Sequence, residues 1–581
     1  MTERNAPRAW TRSWVVVSLL AICAAGVGLA CGWRHGESSS TANPEPQQPP
    51  AGDPTALFGQ WPQGVKPDAV VVLSGQTFGL LQPCGCSAKQ LGGLERRANF
   101  IAGLRAKGWP VVGADLGDLV QEKGAIPEQT LMKYVTAMNA LREMGYVAVG
   151  VGKTEFDVGI FNVLAQYAAQ KEQPPYVLAG NLIGKSDGKV IPREQFFPAS
   201  QPGGRPMVGL AEIADVGGVP VGVVGVIGKD LSEDGRKADP LLEFAFTPDV
   251  LKQAVTALAA HPRKPALNVL LYQDTLENAR AVAKDRPEFQ IILCRSAEAE
   301  PPQFPVVVEG AGGRKTLIVQ VGHKGRYVGV VGAFRKPDGS FDLKYQLVGL
   351  GDEYATPADP AAEKANPVLP LLEDYSKQVK DRNLLAKYPK VPHPAQIQAP
   401  NLNLSYVGSE KCAACHQAET AKWKESLHSH ALEALETKAK RPSLRQFDGE
   451  CVVCHTVGLG YRTGFESAEK TPHLKHVGCE SCHGPGSGHA SAEHNAELLK
   501  LLSPWKQNPA DRLPDAQTMQ KLGDLNPIER GKVQIPPAQN RMINAVTSAC
   551  MKCHDSENDP HFDLFKYWPK VAHTGLGPLR K

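Results

Sequence analysis

One pattern constrains this chain more than any other. Cys-x-x-Cys-His occurs four times in one stretch, as Cys412-Ala-Ala-Cys415-His416, Cys451-Val-Val-Cys454-His455, Cys479-Glu-Ser-Cys482-His483 and Cys550-Met-Lys-Cys553-His554. The spacing has a chemical cause: two thiols three positions apart on a helical turn reach the two vinyl groups of one haem and form thioethers, and the imidazole that follows points at the iron. Paired Cys-x-x-Cys units also make zinc sites, but zinc does not require a His directly after every second Cys. From the Cys and His frequencies, chance supplies roughly 0.01 such motifs in a chain of this length. The four motifs predict four covalently bound c-type haems, attached through Cys412, Cys415, Cys451, Cys454, Cys479, Cys482, Cys550 and Cys553, with His416, His455, His483 and His554 as proximal iron ligands.

Residues 401–581 hold eight of the 13 Cys and twelve of the 16 His, and strand signals vanish there. Four haems in so short a segment leave little place for an ordinary core, so the haem faces become the core and the segment should not fold without them. Sixth ligands must come from the remaining His: His428, His430, His473, His476, His489, His494, His561 and His573. Of these, His473, His494 and His561 read equally well as surface residues.

The residues around the motifs carry a resemblance. Tyr406-Val407-Gly408, Trp423, His428-Ser-His430-Ala431, the run from Cys479 to Gly486 with His489, and Tyr567-Trp568-Pro569-Lys570 with His573 resemble the tetrahaem cytochromes c that accept electrons from hydroxylamine oxidoreductase. The resemblance covers most of residues 405–575. It implies closely stacked haems passing electrons, and bis-His irons, with one five-coordinate iron as an open alternative. By match to the family pattern, His430, His489 and His573 lead as distal ligands, followed by His428 and His476; which serves which haem is left open.

The other end of the chain carries Arg4, Arg8 and Arg12 before an apolar run over 14–30, with Cys31 after it. A basic flank followed by an apolar stretch is the layout of a secretory signal, and its length also suits a single membrane anchor. Cys31 sits in an imperfect lipoprotein box. Residues 1–33 therefore predict export to the periplasmic side, with attachment to the membrane as an anchor or lipoprotein. Residues 34–68, rich in Pro and Ser, read as a tether. The net charge of +4, from 64 Lys plus Arg against 60 Asp plus Glu, gives no footprint for nucleic acid.

Between tether and haem motifs, apolar runs alternate with helical periodicity: strands over 69–73, 110–114, 146–151, 267–272 and 289–294, helices over 128–144, 251–260 and 275–284. Residues 316–321 and 326–334 read as a closing hairpin. This is an α/β domain over 69–352, followed by a helix and Pro-rich linker over 353–400. The segments Gly92-Gly93-Leu94-Glu95-Arg96-Arg97, Ala114-Asp115-Leu116-Gly117-Asp118, Met138-Asn139, Glu155-Phe156-Asp157 and Val319-Gln320-Val321-Gly322 fall in order and resemble the metallophosphatase domain of secreted 5′-nucleotidases. That resemblance implies an α/β/β/α sandwich whose strand-end loops hold two metal ions. The departures are severe. Gln76-Thr77-Phe78 stands for Asp-x-His, Lys153-Thr154 for Asn-His, Gln273 for a His and 294–298 for the final His motif, leaving Asp118 alone among the usual ligands. Two-metal hydrolysis needs several carboxylate and imidazole ligands, so a catalytically inactive binding or docking module is expected. Cys84, Cys86 and Cys294 read either as a thiol centre on one strand-end face or as a structural disulfide plus a buried thiol.

The whole reads as an exported, membrane-tethered tetrahaem cytochrome that transfers electrons between redox partner proteins. Two alternatives stand beside it: a redox enzyme with one open iron, and a working nucleotidase with an electron-transfer appendage.

Overall fold

The computed structural model describes residues 56–573, apart from 85–88, 122–123, 171, 440, 507 and 557. The apolar run 14–30, Cys31, Cys86 and most of the tether lie outside the described residues.

Up to residue 349 the chain builds strands. They are β1 (Ala69–Ser74), β2 (Val111–Asp115), β3 (Tyr146–Gly150), β4 (Tyr176–Leu178), β5 (Leu182–Ser186), β6 (Lys189–Ile191), β7 (Ala211–Val216) and β8 (Val219–Ile227). There follow β9 (Leu242–Phe244), β10 (Leu267–Gln273), β11 (Ile291–Cys294), β12 (Val306–Glu309), β13 (Lys315–Val319), β14 (Tyr327–Arg335) and β15 (Phe341–Gly349). One six-stranded sheet has the order β15-β14-β1-β2-β3-β4 and the other β12-β13-β11-β10-β8-β7; β6-β5-β9 form a small third sheet.

Burial explains the layering. Successive side chains of a strand point to opposite faces, and β1 is apolar on both. Val70 and Val72 pack with Leu94, Ile101, Met138 and Leu141 of helices Leu94–Ala106 and Pro127–Glu143. Val71 and Leu73 face Val221, Val269, Leu271 and Val319 of the second sheet. The far side of that sheet is covered by Thr247–Ala260 and Leu276–Asp285. The result is an α/β/β/α sandwich. Strands β1 to β4 are parallel, as are β8, β10, β11 and β13, so the loops at their C-terminal ends gather on one face, where ligands of such folds bind.

Three expectations change. The two runs read as a hairpin belong to different sheets: β13 lies beside β11, while β14 pairs antiparallel with β1 and β15. Both runs are apolar enough to be central strands, and adjacency in sequence did not make them partners. Residues 56–68, counted with the tether, include Phe58 and Trp61, which are buried against Trp109 and Phe334; the folded body therefore starts before β1. Helix Leu369–Asp381 is not a free linker either, because Leu372, Tyr375 and Val379 enter the first core.

Beyond residue 400 the chain is mainly short helices, and its apolar side chains form only small clusters, such as Leu432, Leu435, Val452, Phe465 and Leu474. No helix among the described residues is long and apolar enough to cross a membrane.

Candidate functional site

Each Cys-x-x-Cys-His motif forms one helical turn. The second and third lie within helices Gly449–His455 and Cys479–His483. In the first and fourth, the His N–H donates to the carbonyl of the leading Cys at 2.9 Å, His416 to Cys412 and His554 to Cys550. The motifs also meet across the chain: Cys412 lies close to Cys479, and Cys454 to Cys553.

Among the described residues, His416, His483 and His554 each stand opposite a second imidazole. His416 faces His489, His483 faces His573, and His428 faces His554, each pair with ring centres 6.1 Å apart. An iron bonded to both rings sets this spacing at about 6 Å, from two metal–nitrogen bonds of about 2 Å plus the distance from each nitrogen to its ring centre. The outer nitrogens are held as well. His483 Nδ1 donates to the Leu502 carbonyl at 2.8 Å, His455 Nδ1 to the Ala431 carbonyl at 2.6 Å and His573 Nδ1 to the Val571 carbonyl at 3.0 Å, while His554 Nδ1 lies 2.8 Å from the Asp559 carboxylate. Fixing one nitrogen in this way selects the tautomer and leaves the other for a metal. His489 Nδ1 is buried with no hydrogen-bond partner among the described residues, as suits a nitrogen whose lone pair is reserved. Burial lowers the pKa of His428, His455, His483 and His489, favouring the neutral form that binds metals. The residues present fit covalently attached haem.

It is His428, placed second on sequence, that faces His554. His430, placed first, is exposed and lies 6.4 Å from His476, with Glu433 3.3 Å from its Nδ1. The spacing His428-Ser-His430 could not separate the two: a short 3-10 turn, Leu427–His430, turns one ring inward and the other out.

The strand-end face of the sandwich brings the sequence-predicted ligand positions together and fills them with their own hydrogen bonds. Ser296 N–H donates to Gln76 Oε1 at 2.7 Å, and Gln76 Nε2 returns to the Ser296 carbonyl at 3.2 Å. Asp118 Oδ1 accepts from Thr154 N–H at 3.0 Å and from its hydroxyl at 3.4 Å; Gln273 Nε2 approaches Oδ2 at 3.4 Å and donates to the Leu116 carbonyl at 2.7 Å. Gly152 closes on this carboxylate, since a Cβ there would lie 2.3 Å from it. Burial raises the Asp118 pKa. Glu155 is a staple, accepting backbone N–H from Asp118, Leu119, Val120 and Gly152. Gln76, Phe78 and Asp118 all have positive φ, 50°, 47° and 56°, a costly backbone for a bulky residue such as Phe78 and typical of loops shaped around a site.

Lys153, which stands in place of a ligand, turns its charge elsewhere. It pairs with Asp157 at 2.6 Å, both side chains half exposed. The cation felt by Asp118 is Arg295, which with Gln76, Ser296 and Gln320 lines a cleft of about 560 Å³. His323, whose Nε2 lies 3.0 Å from the Ser296 carbonyl, was also missed; the Val-Gly-His run ending β13 was its only signal. Amides, hydroxyls and one carboxylate do not fit a two-metal centre, and no group of three or more metal-type side chains stands in binding geometry among the described residues. Cys294 is buried in the outer core, its thiol pushed up to about 12 by burial, whereas Cys84 Sγ lies 3.5 Å from the Asn558 carbonyl.

That contact belongs to an interface. The same strand-end loops meet the second and fourth haem motifs: Arg445 donates to the Cys84 carbonyl at 2.6 Å and Gln90 to the Asn558 carbonyl at 2.6 Å. Asp448, which caps the second motif's helix through Glu450 N–H, accepts from Gln129 at 2.8 Å and Tyr375 at 3.3 Å. Glu450 pairs with Lys133 and accepts from Gln121.

Comparison with known proteins follows this division. Residues 411–484 match the family described as cytochrome c554 and c-prime. The cytochrome c-554 of Nitrosomonas europaea is 36% identical over 91 residues, covering 14% of this chain and 39% of that protein. The stretch that holds the first three motifs is thus similar to cytochrome c554, and this chain spans well under half the length of that relative. Among solved structures, the chain is similar to the 5′-nucleotidase precursor of Thermus thermophilus (18% identity, TM-score 0.42, 56% of this chain and 60% of that one). It is also similar to the NAD nucleotidase of Haemophilus influenzae (14%, 0.41, 61% and 68%) and a calcineurin-like phosphoesterase of Bacillus subtilis (15%, 0.39, 53% and 97%).

Proposed function

We propose that this chain is an exported, membrane-tethered tetrahaem cytochrome that transfers electrons between redox partner proteins, with the sandwich as a docking body. The observation that carries the reading is the three imidazole pairs, each joining one motif His to one distal His at 6.1 Å. Haem, when bound, supplies an iron that alternates between ferric and ferrous. The chain's own part would be to attach it through the eight motif Cys, to hold the facing rings, and, at His428, His455, His483 and His489, to favour the neutral imidazole by burial. His416 with His489, His483 with His573 and His554 with His428 would hold three of the haem irons, and His455 would be the proximal ligand of the fourth. Such an arrangement changes charge with little movement of ligands, as an electron carrier requires.

The sandwich contributes a rigid surface rather than hydrolysis. Its strand-end loops, through Gln90 and Gln121, and its helix Pro127–Glu143, through Gln129 and Lys133, are committed to Asn558, Glu450 and Asp448, so they hold the second and fourth motifs. Export and tethering would follow from residues 1–55.

Mass spectrometry of protein matured with a cytochrome c assembly system tests the reading: four haem additions are expected on residues 401–581. Two or fewer, or stoichiometric zinc, would overturn it. The same protein with Mn²⁺ or Zn²⁺ should leave p-nitrophenyl phosphate intact, whereas turnover abolished by Asp118→Ala would make the sandwich a working hydrolase.

A further inference from the structure

The hydrogen bond that fixes His455 does not end at its acceptor. His455 Nδ1 donates to the carbonyl of Ala431 at 2.6 Å. The N–H of the same peptide group, that of Leu432, donates at 3.3 Å to Nδ1 of His476. One peptide unit therefore joins the second motif's imidazole to a second imidazole that faces none of the motif His among the described residues.

We infer that His476 is a positioning residue for the haem of the second motif, setting through the Ala431–Leu432 peptide how much electron density His455 gives the iron. This rests on the reading of His455 as an iron ligand. The physics is that of coupled hydrogen bonds. Resonance ties a peptide's N–H to its carbonyl, and a donating N–H makes that carbonyl a better acceptor, as chains of hydrogen bonds polarise one another. A better acceptor draws the Nδ1 proton of His455 and raises the basicity of the ring toward a metal. A more basic axial ligand favours the ferric state and lowers the reduction potential.

Two further observations support the assignment. An N–H can only donate, so His476 Nδ1 must present a lone pair, which fixes its tautomer. His476 also has φ of 68°, a left-handed backbone uncommon outside Gly, Asn and Asp. Its ring is held where it meets Leu432 at the expense of backbone comfort. Its neighbour His430 turns instead to Glu433.

The test uses the full-length, haem-loaded protein. His476→Phe keeps a ring and removes the acceptor; His476→Gly removes the acceptor and suits the backbone. His476→Asn places an oxygen near the position of Nδ1 and tolerates positive φ. In a spectropotentiometric titration, Phe and Gly should each raise one of the four midpoint potentials and leave three unmoved. Asn should bring that potential back toward the parent value, and His494→Phe should move none. Four unmoved potentials in the Gly variant, or an equal shift in Asn and Gly, would overturn the inference. Failure of the underlying reading looks different: His455→Gly would leave the absorption and potentials of all four haems as they were.

Discussion

The strand-end face of the sandwich and the histidine pairs of the C-terminal segment are both clusters of ligand-type positions, and they have opposite internal states. On the sandwich, Gln76 and Ser296 donate to each other, and Asp118 is taken up by Thr154 and Gln273. In the C-terminal segment, rings are held 6.1 Å apart with their outer nitrogens tied to Leu502, Asp559 and Val571, and the Nδ1 of His489 is buried with no partner. A side chain that has found a partner inside the protein costs nothing further to bury; one kept from its neighbours is costly unless something else completes it. The first cluster is largely paired within itself, with Thr77 Oγ1, Gln273 Oε1 and Arg295 Nε left without a partner among the described residues; the second presents facing rings spaced for a metal between them.

The largest way to break this contrast is to withhold haem. Chain made without the maturation system should lose ordered structure from residue 401 onward while the sandwich keeps its own, because the sandwich has large apolar cores and the C-terminal segment has small clusters. Limited proteolysis would show it: cleavage confined to the C-terminal segment is expected, and protection of that segment without haem would refute its dependence. Next in size, if the proposed haems are present, His428→Ala should convert one of them from low to high spin in the ferric electron paramagnetic resonance spectrum, a complete loss of that signal. His430→Ala should leave all four as they are. The reverse result would exchange the roles of these residues.

The difference between the clusters also decides what could be read in advance. The motif turns were legible because a Cys-x-x-Cys-His spacing fits one helical turn, and the sandwich because β1, β2, β3, β10 and β11 are buried runs separated by helical periodicity. Distal ligands were not legible to the same degree. His428 and His430 are equivalent in sequence and are separated only by the turn that carries them, and their partners lie far along the chain. The hairpin misreading has a similar cause: two adjacent apolar strands bear no mark of the sheet each will join. The sandwich site was legible as a list of missing ligands, but the use made of its loops was not. Gln121, Gln129 and Lys133 reach Asp448 and Glu450, and nothing local to them predicts contact with a segment hundreds of residues away.

That interface gives a smaller test. Lys133 is 8% exposed at its side chain and pairs with Glu450, which is 24% exposed. Lys133→Met leaves Glu450 and the half-buried Asp448 without the cation that faces them and should cost about 2 kcal/mol, below the value for a fully buried pair because Glu450 is partly wet. Combining it with Glu450→Gln should recover part of the loss. Denaturant midpoints measured on the haem-loaded chain would check both, and a neutral Lys133→Met would mean that water already solvates Glu450.

The smallest effect concerns Asp118, and its sign depends on pH. Burial raises its carboxyl above the ordinary value of 3.8, against the opposing pull of Thr154, Gln273 and Arg295. A carboxyl whose pKa is higher in the folded state binds its proton more tightly there, so the folded state is favoured in acid and loses that advantage as pH climbs past the unfolded value toward the folded one. At neutral pH and above, the sandwich therefore carries a charge that unfolding would return to water. Asp118→Asn removes the charge, keeps an oxygen for the 3.0 Å bond from Thr154, and gives up only the long 3.4 Å approach of Gln273. It should stabilise the chain by about 1 kcal/mol at pH 8, with the gain shrinking toward zero near pH 4. Thermal unfolding of both proteins across that range is the measurement. A loss of stability at pH 8 would mean that the ionised carboxylate serves the fold, through Arg295 or a bound cation, and that the strand-end face is less complete in itself than its hydrogen bonds indicate.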